Sequence, residues 1–289
     1  MAWTEPTDAP MSLIFLVTAT LVAATPPASL TPSSVVIVGG SSGMGKAAAK
    51  QIVSRGGRVL LASRNKEKLN AARTEIIKST NCVDVHAVET FILDASDEGS
   101  MADFAASLQS NEWDGLVVSA AGAAPHGPIT TLPTTDTIGL FDSKFWSAYF
   151  ACKHVGPKLK DGGAIALVSG VLNRRPGINC VPLAVVNGAL EGLTRALALE
   201  FGPKLRVNAL SPGFCDTERF DRMDPERKAA MLANTAASLP LERTGVPSDM
   251  GQALDFLLCS PFTTGVVLDC DGGHHIRQYA NVAGDPMRR

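Results

Sequence analysis

Short apolar runs alternate with amphipathic stretches along most of the chain, and this alternation predicts the fold class. The first apolar run, residues 35–38, enters a glycine-rich turn and then an alanine-rich helix. Further runs at 58–62, within 83–93 and at 113–118 follow helical stretches predicted at 46–54, 66–79 and 100–108. Short apolar runs bounded by turn residues are typical of strands buried on both faces. We therefore predict an α/β protein with one doubly wound parallel sheet and helices on both faces.

The turn after the first predicted strand has the spacing G-x-x-x-G-x-G. Glycines in such a turn let backbone N–H groups approach a pyrophosphate at the N-terminus of the following helix. A plain strand-to-helix turn is the alternative interpretation. The cofactor contacts predicted from this turn are Gly39, Ser41, Ser42, Gly43, Met44 and Gly45.

The end of the second predicted strand indicates which dinucleotide is bound. An acidic residue at this place accepts hydrogen bonds from the adenosine ribose. This chain has Ser63, Arg64 and Asn65 there instead. A guanidinium suits a 2′-phosphate, which a carboxylate would repel. NADP(H) is therefore favoured over NAD(H), and the alternative is a solvated arginine that opens the next helix.

Polar and small residues follow the third and fourth predicted strands. Asp94 could bond the adenine amino group, or it could cap the next helix. Small side chains after the fourth strand allow a ligand to approach the backbone closely. The cofactor contacts predicted here are Asp94, Ala95, Ala120, Ala121 and Gly122.

Composition and charge narrow the class of partner. The chain has 289 residues, 45% of them hydrophobic and 19% charged, which suits one large domain. A net charge of −2 gives no electrostatic footprint for nucleic acid or an anionic membrane, so we expect a small-molecule partner. The six cysteines are scattered without metal-ligand spacing. We expect no metal site, reduced thiols and a cytoplasmic location.

Residues 1–33 are predicted to be an N-terminal extension of a domain that covers residues 34–289. Residues 11–25 carry no charge, but this stretch of 15 is shorter than the roughly 20 residues needed to span a bilayer. The residues before it include Glu5 and Asp8 and no basic residue, the wrong flank for a secretory signal. The extension is either disordered or packed on the surface, or it is a targeting segment or loose anchor.

Five motifs in order together resemble the short-chain dehydrogenase/reductase family. They are the turn 39–45, Asp94, the turn 119–122, the segment 211–217 and the late segment 264–273. The resemblance implies a seven-stranded Rossmann-type sheet, an NAD(P)(H) cofactor with Pro212 and Gly213 among its contacts, and a homodimer or homotetramer. The family's lid over the substrate would correspond to residues 217–241, with a helix start near Pro225, and residues 247–258 are predicted to form a further helix.

The resemblance fails at part of the family's catalytic set of Ser, Tyr, Lys and Asn. Ser169 stands at the serine position, but Leu183 stands at that of the tyrosine and Asn187 at that of the lysine. Lys144 stands at the asparagine position. The combination resembles a divergent branch of the family, found in bacteria and fungi, which includes a fungal enzyme that guides a cycloaddition.

Ser169 and Lys144 are the predicted catalytic residues. Lys144 could polarise a carbonyl or hold the nicotinamide ribose, or it could simply pack its stem and extend its head to water. His126 and Cys180 are weaker candidates for a displaced catalytic group, and Tyr149 and Tyr279 are predicted to be structural. The predicted function is an atypical NADP(H)-dependent oxidoreductase acting on a small carbonyl or alcohol. The alternative is a cofactor-binding pseudoenzyme or a non-redox catalyst on the same fold.

Overall fold

Seven parallel strands form one sheet in the computed structural model, which describes residues 33–276. Their order across the sheet is β3-β2-β1-β4-β5-β6-β7. The chain reverses its direction of travel across the sheet between β1 and β4, so the predicted doubly wound α/β fold is confirmed. The strands are β1 (Ser34–Val38), β2 (Arg58–Ser63), β3 (Val88–Ile92), β4 (Trp113–Val118), β5 (Leu159–Val168), β6 (Arg206–Pro212) and β7 (Val267–Cys270).

Helices cover both faces of the sheet and divide the core into two layers. Apolar residues of α3, α5 and α6 pack on one face, and those of α1, α2 and α8 pack on the other. The central strand β1 is buried along its whole length, which explains its unbroken apolar run. The helices are α1 (Gly43–Ser54), α2 (Lys66–Ser79), α3 (Glu98–Ser107), α4 (Thr134–Leu140), α5 (Ser147–Val155), α6 (Val181–Phe201), α7 (Pro225–Ala237) and α8 (Pro247–Cys259).

Two helices begin earlier than the sequence predicts. Helix α1 begins at Gly43 rather than at residue 46, so the glycine turn supplies its first turn. Helix α3 begins two residues early because the Asp97 side chain accepts a hydrogen bond from the Ser100 N–H and caps it. This position of the cap corrects the alternative prediction that Asp94 caps the helix.

Helices α4 and α5 are joined without a break by a π-helical turn, Phe141–Trp146. The wider turn rotates the side chains that follow relative to an uninterrupted α-helix, and such turns occur often at functional sites. Lys144 lies within this turn and is buried. The π-helical turn is not predicted from the sequence pattern.

The remaining predictions concern the two ends of the chain. The predicted N-terminal extension, apart from Ser33, and the tail with Tyr279 lie outside the described residues.

Within residues 33–276, every helix falls short of the length or apolar character that a bilayer span requires. All six cysteines are described and carry free thiols.

Candidate active site and cofactor cleft

The carboxyl ends of the parallel strands open into one cavity of about 920 Å³. In open α/β sheets this edge, at the point where the strand order reverses, is where ligands bind. Every predicted cofactor residue lines the cavity except Gly45. Ser169, Lys144 and His126 also line it, whereas Cys180 and Tyr149 do not.

Gly39 and Gly45 have a packing role in the glycine turn. A Cβ on Gly39 would lie 2.5 Å from the Ala120 N, and one on Gly45 would lie 2.4 Å from the Ser119 Oγ. Both glycines therefore let the turn pack against the end of β4. Gly43 differs, because no atom would lie nearer than 3.7 Å to its Cβ and its φ is +53°. The turn thus exposes its backbone to the cavity at Gly43.

The N–H of Gly43 already has an anionic partner within the chain. It donates a hydrogen bond of 2.8 Å to Glu218 Oε2, and Glu218 Oε1 lies 2.6 Å from the Lys46 Nζ. Although partial burial opposes its charge, these contacts hold the pKa of Glu218 below its usual range. A carboxylate therefore lies at the N-terminus of α1, where helix geometry favours an anion.

The end of β2 has an unsatisfied donor beside a cation. Ser63 Oγ is buried and has no hydrogen-bond partner among residues 33–276, while Arg64 lines the cavity next to it. Buried hydroxyls are normally hydrogen-bonded, so this group is suited to a ligand atom. Asn65 has a structural duty as well, because its Oδ1 accepts a 2.7 Å hydrogen bond from the Lys68 N–H and caps α2.

Asp94 lies at the end of the adjacent strand and is held as a carboxylate. Its Oδ1 accepts hydrogen bonds from the Ser96 Oγ at 2.6 Å and the Ser96 N–H at 3.1 Å. These bonds, with the nearby charge of Arg64, lower the pKa of Asp94. The pair Ser63 and Arg64 and the acceptor Asp94 thus line the same end of the cavity as one donor and acceptor set.

Lys144 is the most unusual group in the cavity. Its Nζ donates hydrogen bonds of 2.9 Å to the Ser169 carbonyl oxygen and 2.6 Å to Asn187 Oδ1, and only 8% of the residue is exposed. Both acceptors are neutral, so no carboxylate compensates the buried ammonium. Burial and, secondarily, the charge of Arg219 lower the pKa of Lys144 to about 7. The predicted alternative, a lysine whose head reaches water, is therefore wrong.

Ser169 and Asn187 form the rest of this cluster. Ser169 Oγ donates a 3.1 Å hydrogen bond to the backbone oxygen of Asn187. The close approach depends on Gly170, since a Cβ there would lie 2.7 Å from Asn187 Nδ2. The Ser169 hydroxyl is thus turned toward α6, whereas the Lys144 ammonium has three N–H groups and two acceptors among residues 33–276. Lys144 therefore has a donor available for a ligand without breaking a bond.

The weaker candidates are placed less favourably. His126 lines the cavity, and its Nδ1 lies 2.8 Å from the Ala124 oxygen. Cys180 lies outside the lining, its Sγ contacts the Ile178 oxygen, and burial raises its pKa, which disfavours the reactive thiolate. Tyr149 belongs to an aromatic cluster with Phe145 and Trp146. In residues 33–276, no three His, Cys, Asp or Glu side chains come together as a metal site.

Residues 217–241, the predicted lid segment, form one wall of the cavity. The side chains of this wall were not predicted from the sequence, and neither was His274. Helix α7 begins at Pro225 as predicted, capped by the Asp224 side chain. The lining residues of the lid segment are Thr217, Arg219, Phe220, Met223, Arg227 and Met231.

Comparison with known proteins identifies the family. The family model described as Enoyl-(Acyl carrier protein) reductase matches residues 38–275. Carbonyl reductase family member 4 of Danio rerio is 31% identical over 243 residues, which cover 82% of this chain and 96% of the relative. A solved small-chain dehydrogenase in complex with NADPH is 34% identical with a TM-score of 0.71, over 84% of this chain and 98% of that one. The chain belongs to the short-chain dehydrogenase/reductase family of nicotinamide-dependent oxidoreductases, as the motifs predict.

A more distant neighbour bears on the predicted branch. The structure of MalC Reductase/Diels-Alderase from Malbranchea aurantiaca has a TM-score of 0.77 and 22% identity, over 86% of this chain and 98% of that one. This likeness shows a shared fold alone. That Leu183 and Asn187 replace the family's tyrosine and lysine stays a prediction, and both residues line the cavity.

Proposed function

We propose that the protein is an NADP(H)-dependent oxidoreductase that interconverts a small carbonyl compound and its alcohol, with Lys144 as the proton-transferring residue. The observation that carries the proposal is the buried Lys144 ammonium, which lines the cofactor cavity and has only neutral acceptors. A buried, uncompensated charge is unfavourable for folding, and groups with strongly perturbed pKa values concentrate at functional sites.

Different residues of the cavity would contact different parts of the cofactor. The turn around Gly43 would hold the pyrophosphate, Ser63 and Arg64 the 2′-phosphate, and Asp94 the adenine. The small residues Ala120–Gly122 and the pair Pro212 and Gly213 would leave room for the nicotinamide end. When bound, the cofactor supplies or accepts the hydride. The orphaned Ser63 hydroxyl and its neighbour Arg64 support NADP(H) over NAD(H).

The chain's own contribution to carbonyl reduction is the proton and the stabilisation of negative charge. The third N–H of the Lys144 ammonium would donate to the substrate oxygen, stabilise the developing alkoxide and then protonate it. Lys144 is left as a neutral amine, which regains a proton from water. In alcohol oxidation the neutral amine accepts the proton instead. Ser169 assists by fixing Asn187 and, when its hydroxyl rotates, by donating to the same oxygen.

Two variants with a matched control test the site. Lys144→Met and Ser169→Ala are compared with Lys153→Met, a change at an exposed lysine on α5. Loss of a general acid typically lowers turnover about 10²- to 10⁴-fold, and loss of an oxyanion donor about 10²- to 10³-fold. We expect such losses in the two site variants, with NADPH affinity preserved and the control unaffected. Unchanged turnover in both would overturn the site and direct attention to His126.

The cofactor preference has its own test at Arg64. Fluorescence titration with NADPH and NADH should show preference for NADPH, and Arg64→Ala should remove most of it because the guanidinium no longer pairs with the 2′-phosphate. Arg175→Ala is the control, since Arg175 lies outside the cavity lining. Equal affinity for the two cofactors in the native protein would contradict the assignment.

We also propose a homodimer or homotetramer in a reducing compartment such as the cytoplasm. Support comes from Trp146 and Tyr149, which leave 41% and 39% of their surfaces exposed on one helical face, and from the six free thiols. Sedimentation velocity should give a dimer or tetramer, and a monomer at micromolar concentration would contradict the proposal.

A further inference from the structure

The substrate side of the cavity carries positive charge that no nearby acid neutralises. Arg219 and Arg227 line it together with Lys144. Within residues 33–276, no carboxylate lies within salt-bridge distance of either guanidinium. Both arginines are exposed overall, and partial burial of the Arg219 guanidinium lowers its pKa. Among residues 33–276, Asp94 is the one acid in the cavity lining.

In the lid segment, basic side chains line the cavity and acidic side chains do not. None of its four acids is in the cavity lining: Glu218 contacts Lys46 and the Gly43 N–H, Asp221 contacts Lys228 at 3.1 Å, Asp224 caps α7, and Glu226 is exposed. Its two cavity-lining arginines have no such partners. A segment with four acidic and four basic residues thus lines the cavity with positive side chains and no negative ones. Such an arrangement favours a negatively charged ligand.

Apolar side chains line the same cavity as these cations. They include Leu183 on α6 and Phe220, Met223 and Met231 of the lid segment. The Phe220 ring stacks on Phe214 with centroids 5.2 Å apart, which fixes one wall. Methionine side chains adapt to varied apolar shapes. The lining therefore suits a ligand with an apolar body and one charged end.

We infer that the substrate is an apolar carbonyl compound that bears an oxyanion, carboxylate or phosphate, bound by the Arg219 guanidinium. The inference rests on the proposed function, because the carbonyl is placed at Lys144. The planar fork of arginine pairs with either oxyanion through two parallel hydrogen bonds. The glycine turn and Arg64 are already assigned to the cofactor phosphates, which leaves Arg219 and Arg227 for the substrate. Of these two, Arg219 is the one whose charge acts on Lys144, so it is assigned to the charged end of a substrate whose carbonyl lies at Lys144.

The test compares one aldehyde in three charge forms. Dissociation constants of 4-formylbenzoate, 4-formylphenyl phosphate and methyl 4-formylbenzoate are measured by calorimetry, with and without saturating NADPH. Either anion should bind about 10-fold or more tightly than the neutral ester, as expected for a charge-assisted hydrogen bond. Arg219→Met should abolish that preference and leave the ester and NADPH affinities unchanged. Arg222→Met is the matched control, since Arg222 belongs to the lid segment but not to the lining.

Each outcome decides the inference. Equal binding of the ester and both anions to the native protein would overturn it, as would a loss of NADPH affinity in Arg219→Met, because Arg219 would then serve the cofactor. A protein that does not bind NADPH would refute the proposed function separately. In that case the dissociation constants measured without NADPH would still show whether Arg219 gives the protein its preference for an anion.

Discussion

Titration of Lys144 should govern the pH dependence of carbonyl reduction. Its pKa is about 7, against 10.5 for an ordinary lysine, because burial disfavours the charged form and Arg219 adds repulsion. Reduction needs the protonated amine, so its rate should fall about tenfold for each pH unit above 7. At pH 9 about 1% of Lys144 is protonated, and the rate should be about 100-fold below its plateau. Alcohol oxidation needs the neutral amine and should rise over the same range.

The assay follows NADPH absorbance with a neutral carbonyl substrate from pH 6 to 9, in the native protein and in two variants. Lys144→Met should lose the pH-dependent limb together with most of the activity. Arg219→Met should shift the fall in reduction rate to higher pH by less than one pH unit. The shift is small because burial, the larger cause of the lowered pKa of Lys144, is still present in this variant. A limb at the same pH in Lys144→Met would refute the assignment of this titration to Lys144.

Two further predictions concern the glycine turn. Glu218→Gln should tighten NADPH binding about 5- to 10-fold in a fluorescence titration, because it removes a negative charge from the N–H that the pyrophosphate would use; the control Glu226→Gln should change nothing, and weaker binding in Glu218→Gln would contradict the shared site. Gly39→Ala should lower the free energy of unfolding by more than 2 kcal/mol, since its φ is +89° and the added Cβ would lie 2.5 Å from backbone. Gly139→Ala meets nothing within 4 Å and should be neutral or stabilising by about 1 kcal/mol in the same urea titration.

The sequence predicts the sheet well because local patterns encode it. The buried strand β1 has an unbroken apolar run. The turns after the strands carry small or polar residues, and these turns lie together because the strands are parallel and end at the same edge of the sheet. Arg64 and Asp94 could be placed near each other for this reason, as the carboxyl ends of adjacent parallel strands.

The substrate side depends on contacts that sequence spacing does not encode. The π turn that buries Lys144 has no local signature, and the contact of Lys144 with Asn187 joins residues 43 positions apart. The lid segment contains acids and arginines in similar number, so composition alone does not reveal that Arg219 is in the cavity lining and the acids are not. The position at which Glu218 meets Gly43 likewise follows from tertiary packing across 175 residues.

Isotope transfer tests the central claim, hydride transfer between NADP(H) and a carbonyl, most directly. The protein is incubated with a carbonyl library and NADPH deuterated at both C4 positions, and the products are read by mass spectrometry. The account predicts at least one alcohol that carries a single deuterium on the former carbonyl carbon, formed by the native protein and nearly absent with Lys144→Met. NADPH binding without deuterium transfer to any compound would contradict it and favour a non-redox role for the bound cofactor.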